Sequence, residues 1–231
     1  MSSFFRVVFI LFWTALMITS ALVIMLLTFN RKIALVMART MHGPGVLWGA
    51  GIKLKVEGKE NFPRDQPFIF ASNHQSHLDI PCLFTAIPVN LHFIAKKELK
   101  WVPFIGWFLA ATGMIFLDRS NKKKAVESLD KAGVIIKKGK NVIVFPEGTR
   151  QISGKLGVFK KGSFMLSMKA DIPIVPVSIS GTEKVLPPNT LKVIPQEVTV
   201  RIGKPIAAVT KKEDIHQFIK EVRNAVEQMK E

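Results

Sequence analysis

The pattern of apolar and polar positions divides the chain in two. From Val7 to Phe29 there are 23 consecutive residues without a charge. As a helix at about 1.5 Å per residue they reach roughly 34 Å, sufficient to cross a hydrocarbon core of about 30 Å. The run is about twice as long as the apolar stretch of a signal peptide, and no small-x-small cleavage site follows it. Residues 31–50 are again mostly apolar, with basic residues at Arg31, Lys32 and Arg39. Two readings follow. Either residues 7–29 cross a bilayer as one helix, or a turn at 30–32 folds both segments into a hairpin held in a single leaflet, with Trp48 at the interface. Arg6 precedes the run and three basic residues follow it, so a spanning helix leaves the rest of the chain in the cytoplasm.

Beyond Gly51 the period changes. Residues 52–58 (IKLKVEG) and 198–203 (VTVRIG) alternate, which places them near sheet edges. Residues 67–72, 141–145 and 174–179 are short continuous apolar runs, the pattern of strands covered on both faces. Residues 92–96 and 114–118 are further strand candidates. Between them, 121–138 sets Val126, Leu129, Gly133 and Ile136 on one helical face, pairs Glu127 with Lys131 and stops at Gly139. A last helix opens on a capping box, Thr210-x-x-Glu213, and repeats Ile215, Phe218, Ile219, Val222, Val226 and Met229. Strands alternating with helices predict an α/β domain with a mixed, largely parallel sheet flanked by helices. The expected organisation is a membrane-anchoring helical segment over residues 1–50, as one helix or a two-helix hairpin, and one compact domain over residues 51–231.

Charge sharpens this picture. The 231 residues hold 33 Lys and Arg against 17 Asp and Glu, a net +16, yet 48% of them are apolar. That apolar content excludes a disordered basic tail, which lacks the surface to offset chain entropy. Residues 91–170 alone hold 16 basic and 5 acidic side chains, a net +11. Such a face suits anionic partners, either nucleic acid or a membrane. No helix-turn-helix, RNP-like or zinc-finger pattern is present, and the long apolar segment favours the membrane and its anionic lipids. The single cysteine, Cys82, excludes an intramolecular disulfide framework and a cysteine-rich zinc site. No cluster in the sequence calls for a metal, nucleotide or redox cofactor.

The candidate chemistry sits at strand ends, where α/β folds place their sites. Directly after strand 67–72 come Asn73-His74-Gln75-Ser76-His77-Leu78-Asp79. On one continuous helix His74 and Asp79 point about 140° apart. They meet if His74 lies in the loop and Asp79 in the first helical turn, a position compatible with Pro81. Asp79 then holds one imidazole nitrogen and raises the basicity of the other. His77 is a competing partner for Asp79, and His92 is a further histidine. After strand 141–145 come Pro146-Glu147-Gly148-Thr149-Arg150, and Arg119 ends the strand before 121–138. Glu147 and Arg150 read as a structural ion pair, or Arg119 and Arg150 converge on a phosphate through bidentate hydrogen bonds.

Taken together these blocks resemble the glycerolipid acyltransferases. Residues 73–79 match their His-x-x-x-x-Asp motif, Gly113–Arg119 looks like their second block, Phe145–Arg150 like their third and Ile174–Val177 like their fourth, all in the family's order. Length and the apolar N-terminus resemble the bacterial 1-acyl-sn-glycerol-3-phosphate acyltransferases in particular. The resemblance implies transfer of an acyl chain from a thioester, acyl-ACP or acyl-CoA as co-substrate, to the sn-2 hydroxyl of lysophosphatidic acid, giving phosphatidic acid. It implies His74 as general base, Asp79 as its partner, and phosphate or glycerol binding by Arg119, Glu147, Gly148, Thr149, Arg150 and Lys96. Backbone N–H groups over 74–79 are expected to meet the oxyanion. The basic face would attract lipid head groups and the acidic acyl carrier protein or coenzyme A, and the implied location is the inner membrane with the catalytic domain on the cytoplasmic side. Another lyso-lipid acceptor, such as a lyso-ornithine lipid, and a non-catalytic basic binder of membrane surfaces are the alternatives.

Overall fold

A computed structural model of the chain describes residues 2–62, 66–118, 120–151 and 154–230. Among them seven strands form one sheet in the order β1 (Lys53–Glu57), β7 (Glu197–Ile202), β6 (Ile174–Ser180), β2 (Ile69–Ser72), β5 (Asn141–Val144), β3 (Leu91–Lys96) and β4 (Ile115–Leu117). Every neighbouring pair is parallel except β6 with β7. The sheet is mixed and largely parallel, as the apolar runs predict. Its central strands are covered on both faces: all four residues of β2 are buried. The alternating segment 52–58 supplies an edge strand, and 198–203 lies beside it.

Helices α6 (Lys122–Lys137), α7 (Lys161–Ala170) and α9 (Ile215–Gln228) cover one face, packing on Ile69, Val142 and Ile174. In α9 the apolar repeat buries Ile215, Phe218, Val222 and Val226, each worth about 1.5–3 kcal/mol on removal from water. Two local expectations give way to tertiary packing. The capping box at Thr210 does not form: α9 starts at Ile215, after Asp214 N and Ile215 N close turns onto the carbonyls of Lys211 and Lys212. In α6, Leu129, Ala132, Gly133 and Ile136 turn toward the sheet while Val126 stays exposed. Its ion pair runs across to α7, from Asp130 to Lys169, and Glu127 does not pair with Lys131.

The other face carries α3 (Gly43–Ala50) and α4 (Asp79–Ala86), with the N-terminal segment outside them. Helix α1 (Ser3–Thr28) ends on Phe29 in the left-handed region, and Asn30 caps α2 (Arg31–Met37) by accepting from Lys32 N at 3.0 Å. A π-helical turn (Ala38–His42) joins α2 to α3, and the whole returns along α1 as a hairpin. Small residues permit the close approach: a Cβ on Gly45 would lie 2.1 Å from Trp13, and one on Gly49 2.3 Å from Phe9. Arg6 Nη1 donates to Gly49 O at 3.0 Å, and Ser3 Oγ accepts from Val193 N at 2.7 Å, so the start of α1 is tied to the loop before β7. Leu35, Ala38, Leu47 and Ala50 belong to the same buried cluster as Phe70 and Val177 of the sheet. Residues 31–50 are therefore part of the core on this face. The opposite wall of α1, with Phe4, Phe5, Leu11, Phe12 and Leu26, stays exposed. Near the hairpin tip, α5 (Ile105–Ala111) packs Phe108 and Ala111 against Met25, Ala34 and Met37.

His92 is buried at the N-terminal end of β3, remote from the strand ends that carry the polar clusters, with Nδ1 3.3 Å from Asn141 O. Burial, reinforced by Lys140, lowers its pKa from 6.5 to about 4. The fold thus favours the neutral ring, so this stabilisation is complete above pH 6.5 and disappears as pH falls toward 4. Between pH 7 and pH 5 the wild type should lose about 2 kcal/mol from this residue. His92→Gln should not show that loss in urea-unfolding midpoints measured in detergent at the two pH values.

Candidate active site

Strands β2 and β5 are parallel neighbours, so the polar clusters that follow them emerge side by side. Asn73 pins the first loop to β6: its Nδ2 donates to Ile179 O and its Oδ1 accepts from Ile179 N, both at 2.8 Å. The chain then turns into α4, whose first residue is Asp79. His74 stays in the loop, and the expected meeting occurs, with His74 Nδ1 2.7 Å from Asp79 Oδ2.

Asp79 has no exposed surface. Its Oδ2 also accepts from Gln75 N at 2.7 Å and Ser76 N at 3.0 Å, while Thr182 Oγ1 donates to Oδ1 at 2.5 Å. Four donors around a buried carboxylate offset the loss of its hydration. A carboxylate at Nδ1 selects the tautomer with its proton there and leaves Nε2 as the acceptor. Phe145 stacks on the ring at a centroid distance of 4.0 Å, with Phe93 behind it at 6.2 Å. The imidazole is 17% exposed, and among the described residues no group hydrogen-bonds Nε2. One face of His74 is thus packed, one nitrogen is held, and the other nitrogen is available.

Glu147 is buried, and both its oxygens meet backbone: Oε1 accepts from His74 N at 2.8 Å and Oε2 from Gly157 N at 2.7 Å. Burial raises its carboxyl pKa, and these two N–H donors pull it back. A Cβ on Gly157 would lie 2.7 Å from Glu147 Oε2, so that approach requires glycine. On the other side Gln151 N donates to His74 O at 2.8 Å. The peptide groups of His74 are therefore clamped from the β5 loop. Glu147 makes no ion pair with Arg150 among the described residues; its hydrogen bonds brace the His74 loop.

Gly148 adopts φ 76° in the turn after β5, where a Cβ would meet Lys160 Nζ at 2.8 Å. Thr149 and Arg150 are exposed on the rim. Burial, then the Arg150 and His74 charges, lowers the pKa of His77, against Asp79. His77 therefore neighbours the pair without contacting Asp79. Lys96 lies at the end of β3, beyond β5 from His74, exposed and 3.5 Å from Glu98. Arg119 lies outside the described residues. Within the loop, the N–H groups of His74, Gln75, Ser76, Leu78 and Asp79 all have protein acceptors; among the described residues that of His77 alone does not. Cys82 is buried, and burial together with Asp79 pushes its thiol pKa up, away from reactivity. No group of three or more His, Cys, Asp or Glu among the described residues could hold a metal ion.

Thr182, Gln151 and Gly157 have no place in the sequence blocks. A signal for Thr182 did exist: it follows Ser180-Gly181 at the end of β6, the neighbour of β2.

Residues 53–180 match the family model of the acyltransferases. The chain is 42% identical over 178 residues to a 1-acyl-sn-glycerol-3-phosphate acyltransferase of Saccharomyces cerevisiae, covering 75% of this chain and 58% of that protein. It is 38% identical over 156 residues to the chloroplastic 1-acyl-sn-glycerol-3-phosphate acyltransferase BAT2 of Brassica napus, covering 67% and 45%. The chain thus spans about half the length of these curated relatives. Among solved structures, the 1-acyl-sn-glycerophosphate (LPA) acyltransferase PlsC from Thermotoga maritima superposes with a TM-score of 0.81 at 31% identity, covering 97% of this chain and 94% of that one.

Thr182→Val should strand one oxygen of a buried carboxylate and cost roughly 1–3 kcal/mol of stability. Thr182→Ser should retain most of it. Thermal or urea unfolding of the three proteins in one detergent measures the difference.

Proposed function

The chain belongs to the acyltransferase family, and from that premise we propose that it transfers an acyl group from a thioester, acyl-ACP or acyl-CoA, to the sn-2 hydroxyl of lysophosphatidic acid, forming phosphatidic acid. The observation that carries this reading is the 2.7 Å contact between His74 Nδ1 and Asp79 Oδ2, with Nε2 left as the basic nitrogen. An alcohol is a poor nucleophile at neutral pH and needs a base in contact with it. His74 Nε2 takes the hydroxyl proton as the oxygen attacks the thioester carbonyl. Asp79 keeps the ring oriented and stabilises the imidazolium that forms. The thiol leaves as the tetrahedral intermediate collapses, and the proton on His74 is returned to it. The N–H of His77 is the donor left in this loop for the oxyanion.

Glu147 and Gln151 act on this chemistry through the backbone of His74, which they hold in place. Arg119 and Arg150 bind the acceptor's phosphate, with Lys96 and Lys160 contributing positive charge around the strand ends. Gly148 and Thr149 form the turn that presents Arg150.

The enzyme works at the cytoplasmic face of an inner membrane. A helix whose first residue is bonded to the loop before β7 does not start on the far side of a bilayer from the sheet. That contact supports the hairpin inserted in one leaflet, with the exposed wall of α1 in the acyl region.

His74→Ala should reduce acyl transfer by at least about 100-fold, the usual scale of general-base catalysis. Purified protein in detergent, supplied with lysophosphatidic acid and an acyl thioester, measures this through thiol release; wild-type turnover by the variant removes His74 as the base. Arg150→Ala should raise KM for the phosphorylated acceptor with little change in kcat, and an unchanged KM takes Arg150 out of the phosphate site. A reporter placed before Met1 should face the same side of the membrane as one fused after Glu231.

A further inference from the structure

Outside the hairpin, the densest group of exposed apolar side chains lies between β3 and α5. Trp101 is 78% exposed, Phe104 54% and Trp107 56%, with Val102 and Ile105 also on the surface. Isolated exposed apolar residues are ordinary in soluble proteins, but a contiguous aromatic group marks a contact surface.

The outward orientation is built into the backbone. Phe104 has φ 60° and ψ −59° and is the centre of a γ-turn closed by Ile105 N donating to Pro103 O at 2.7 Å. This turn form is rare and strained for a residue with a side chain. Val102 N donates to Leu99 O, and Gly106 N donates to Val102 O at 2.7 Å. A Cβ on Gly106 would lie 2.3 Å from Lys100 O, so the start of α5 presses directly on the preceding turn. Lys97 is paired with Asp118 at 2.8 Å, which ties the segment to the end of β4. Phe104 is thus held half exposed in a strained turn, its ring against Trp107 at a centroid distance of 5.3 Å.

Three features identify what covers it. Tryptophan and phenylalanine beside lysines is the composition of a membrane-water boundary; Lys96, Lys97 and Lys100 directly precede these rings in the chain, and Lys100 Nζ lies 6.0 Å from the centre of the Trp101 ring. The segment runs into α5, whose Phe108 and Ala111 pack on Met25, Ala34 and Met37 near the hairpin tip. It also follows the C-terminal end of β3, the sheet edge at which His74 emerges after β2.

We propose that residues 99–107 form a second membrane-inserting element, with Trp101, Phe104 and Trp107 entering the head-group region of an anionic bilayer and Lys96 and Lys100 meeting lipid phosphates. Together with the hairpin it gives two separated contacts, which fix the tilt of the domain and hold the His74 edge at the lipid surface. This inference rests on the monotopic reading of α1 and adds a contact that the hairpin does not require.

Because the chain contains four tryptophans, Trp13, Trp48, Trp101 and Trp107, the two contacts can be read separately. Full-length variants that retain only Trp48, only Trp101 or only Trp107, the others replaced by Phe, are reconstituted on phosphatidylglycerol-phosphatidylethanolamine vesicles with brominated acyl chains. Loss of emission from Trp101 and Trp107, with a blue shift relative to detergent-free buffer containing no vesicles, is expected alongside loss from Trp48. Quenching of Trp48 with none of Trp101 or Trp107 overturns this proposal and leaves the hairpin intact; quenching of none overturns both. The wild type supplies a measurement independent of these substitutions: amide hydrogen exchange over 99–107 should slow on the same vesicles, and an unchanged rate there overturns the second contact.

Discussion

Asp79 is a carboxylate without solvent, and the site exists in the form that this requires. An unpaired buried charge costs several kcal/mol, so each oxygen has to find donors inside the protein. They come from two parts of the chain: the imidazole of His74 and two backbone N–H groups from the loop after β2, and the hydroxyl of Thr182 after β6. Bringing these together requires β2 beside β6 and the loop turned tightly into α4. The same contacts that satisfy Asp79 select the tautomer of His74, so the requirement of the buried carboxylate also decides which ring nitrogen stays available.

A second carboxylate applies the same physics to the backbone. Glu147 is also buried, but its donors are peptide N–H groups of His74 and Gly157. With Gln151 N on the carbonyl of His74, His74 is held by its ring, its N–H and its carbonyl. Catalytic geometry tolerates little displacement, and this arrangement restrains His74 from β2, β5 and α4 together. The acidic groups near the centre are thus internal, while the basic side chains Arg150 and Lys96 remain exposed at the strand ends.

The outer layer follows a different constraint. One wall of α1 packs on α3 across glycines, while the opposite wall has no protein partner. A contiguous apolar wall of that size is the mark of a contact surface. The core cluster that α2 and α3 share with the sheet makes the N-terminal hairpin and the domain one packed unit.

How far the sequence could be read depended on the range of each interaction. Period-two and continuous apolar runs are local, and they determined the strands and the largely parallel sheet. His74 and Asp79 lie five positions apart, and the turn geometry of a strand leading into a helix suffices to join them. Thr182 is 103 positions from Asp79, and only the placement of β6 beside β2 decides that contact. The partners of Glu147 follow the same rule: Arg150 is near in sequence, but the donors the fold brings to its oxygens are the N–H groups of His74 and Gly157. The tie between the start of α1 and the loop before β7 is likewise a long-range one, Ser3 meeting Val193, a contact with no local signature. Residue type and spacing determined which chemistry is present in this chain; the tertiary structure decided which atom holds which, because hydrogen bonds form between strand ends that only the folded sheet makes neighbours.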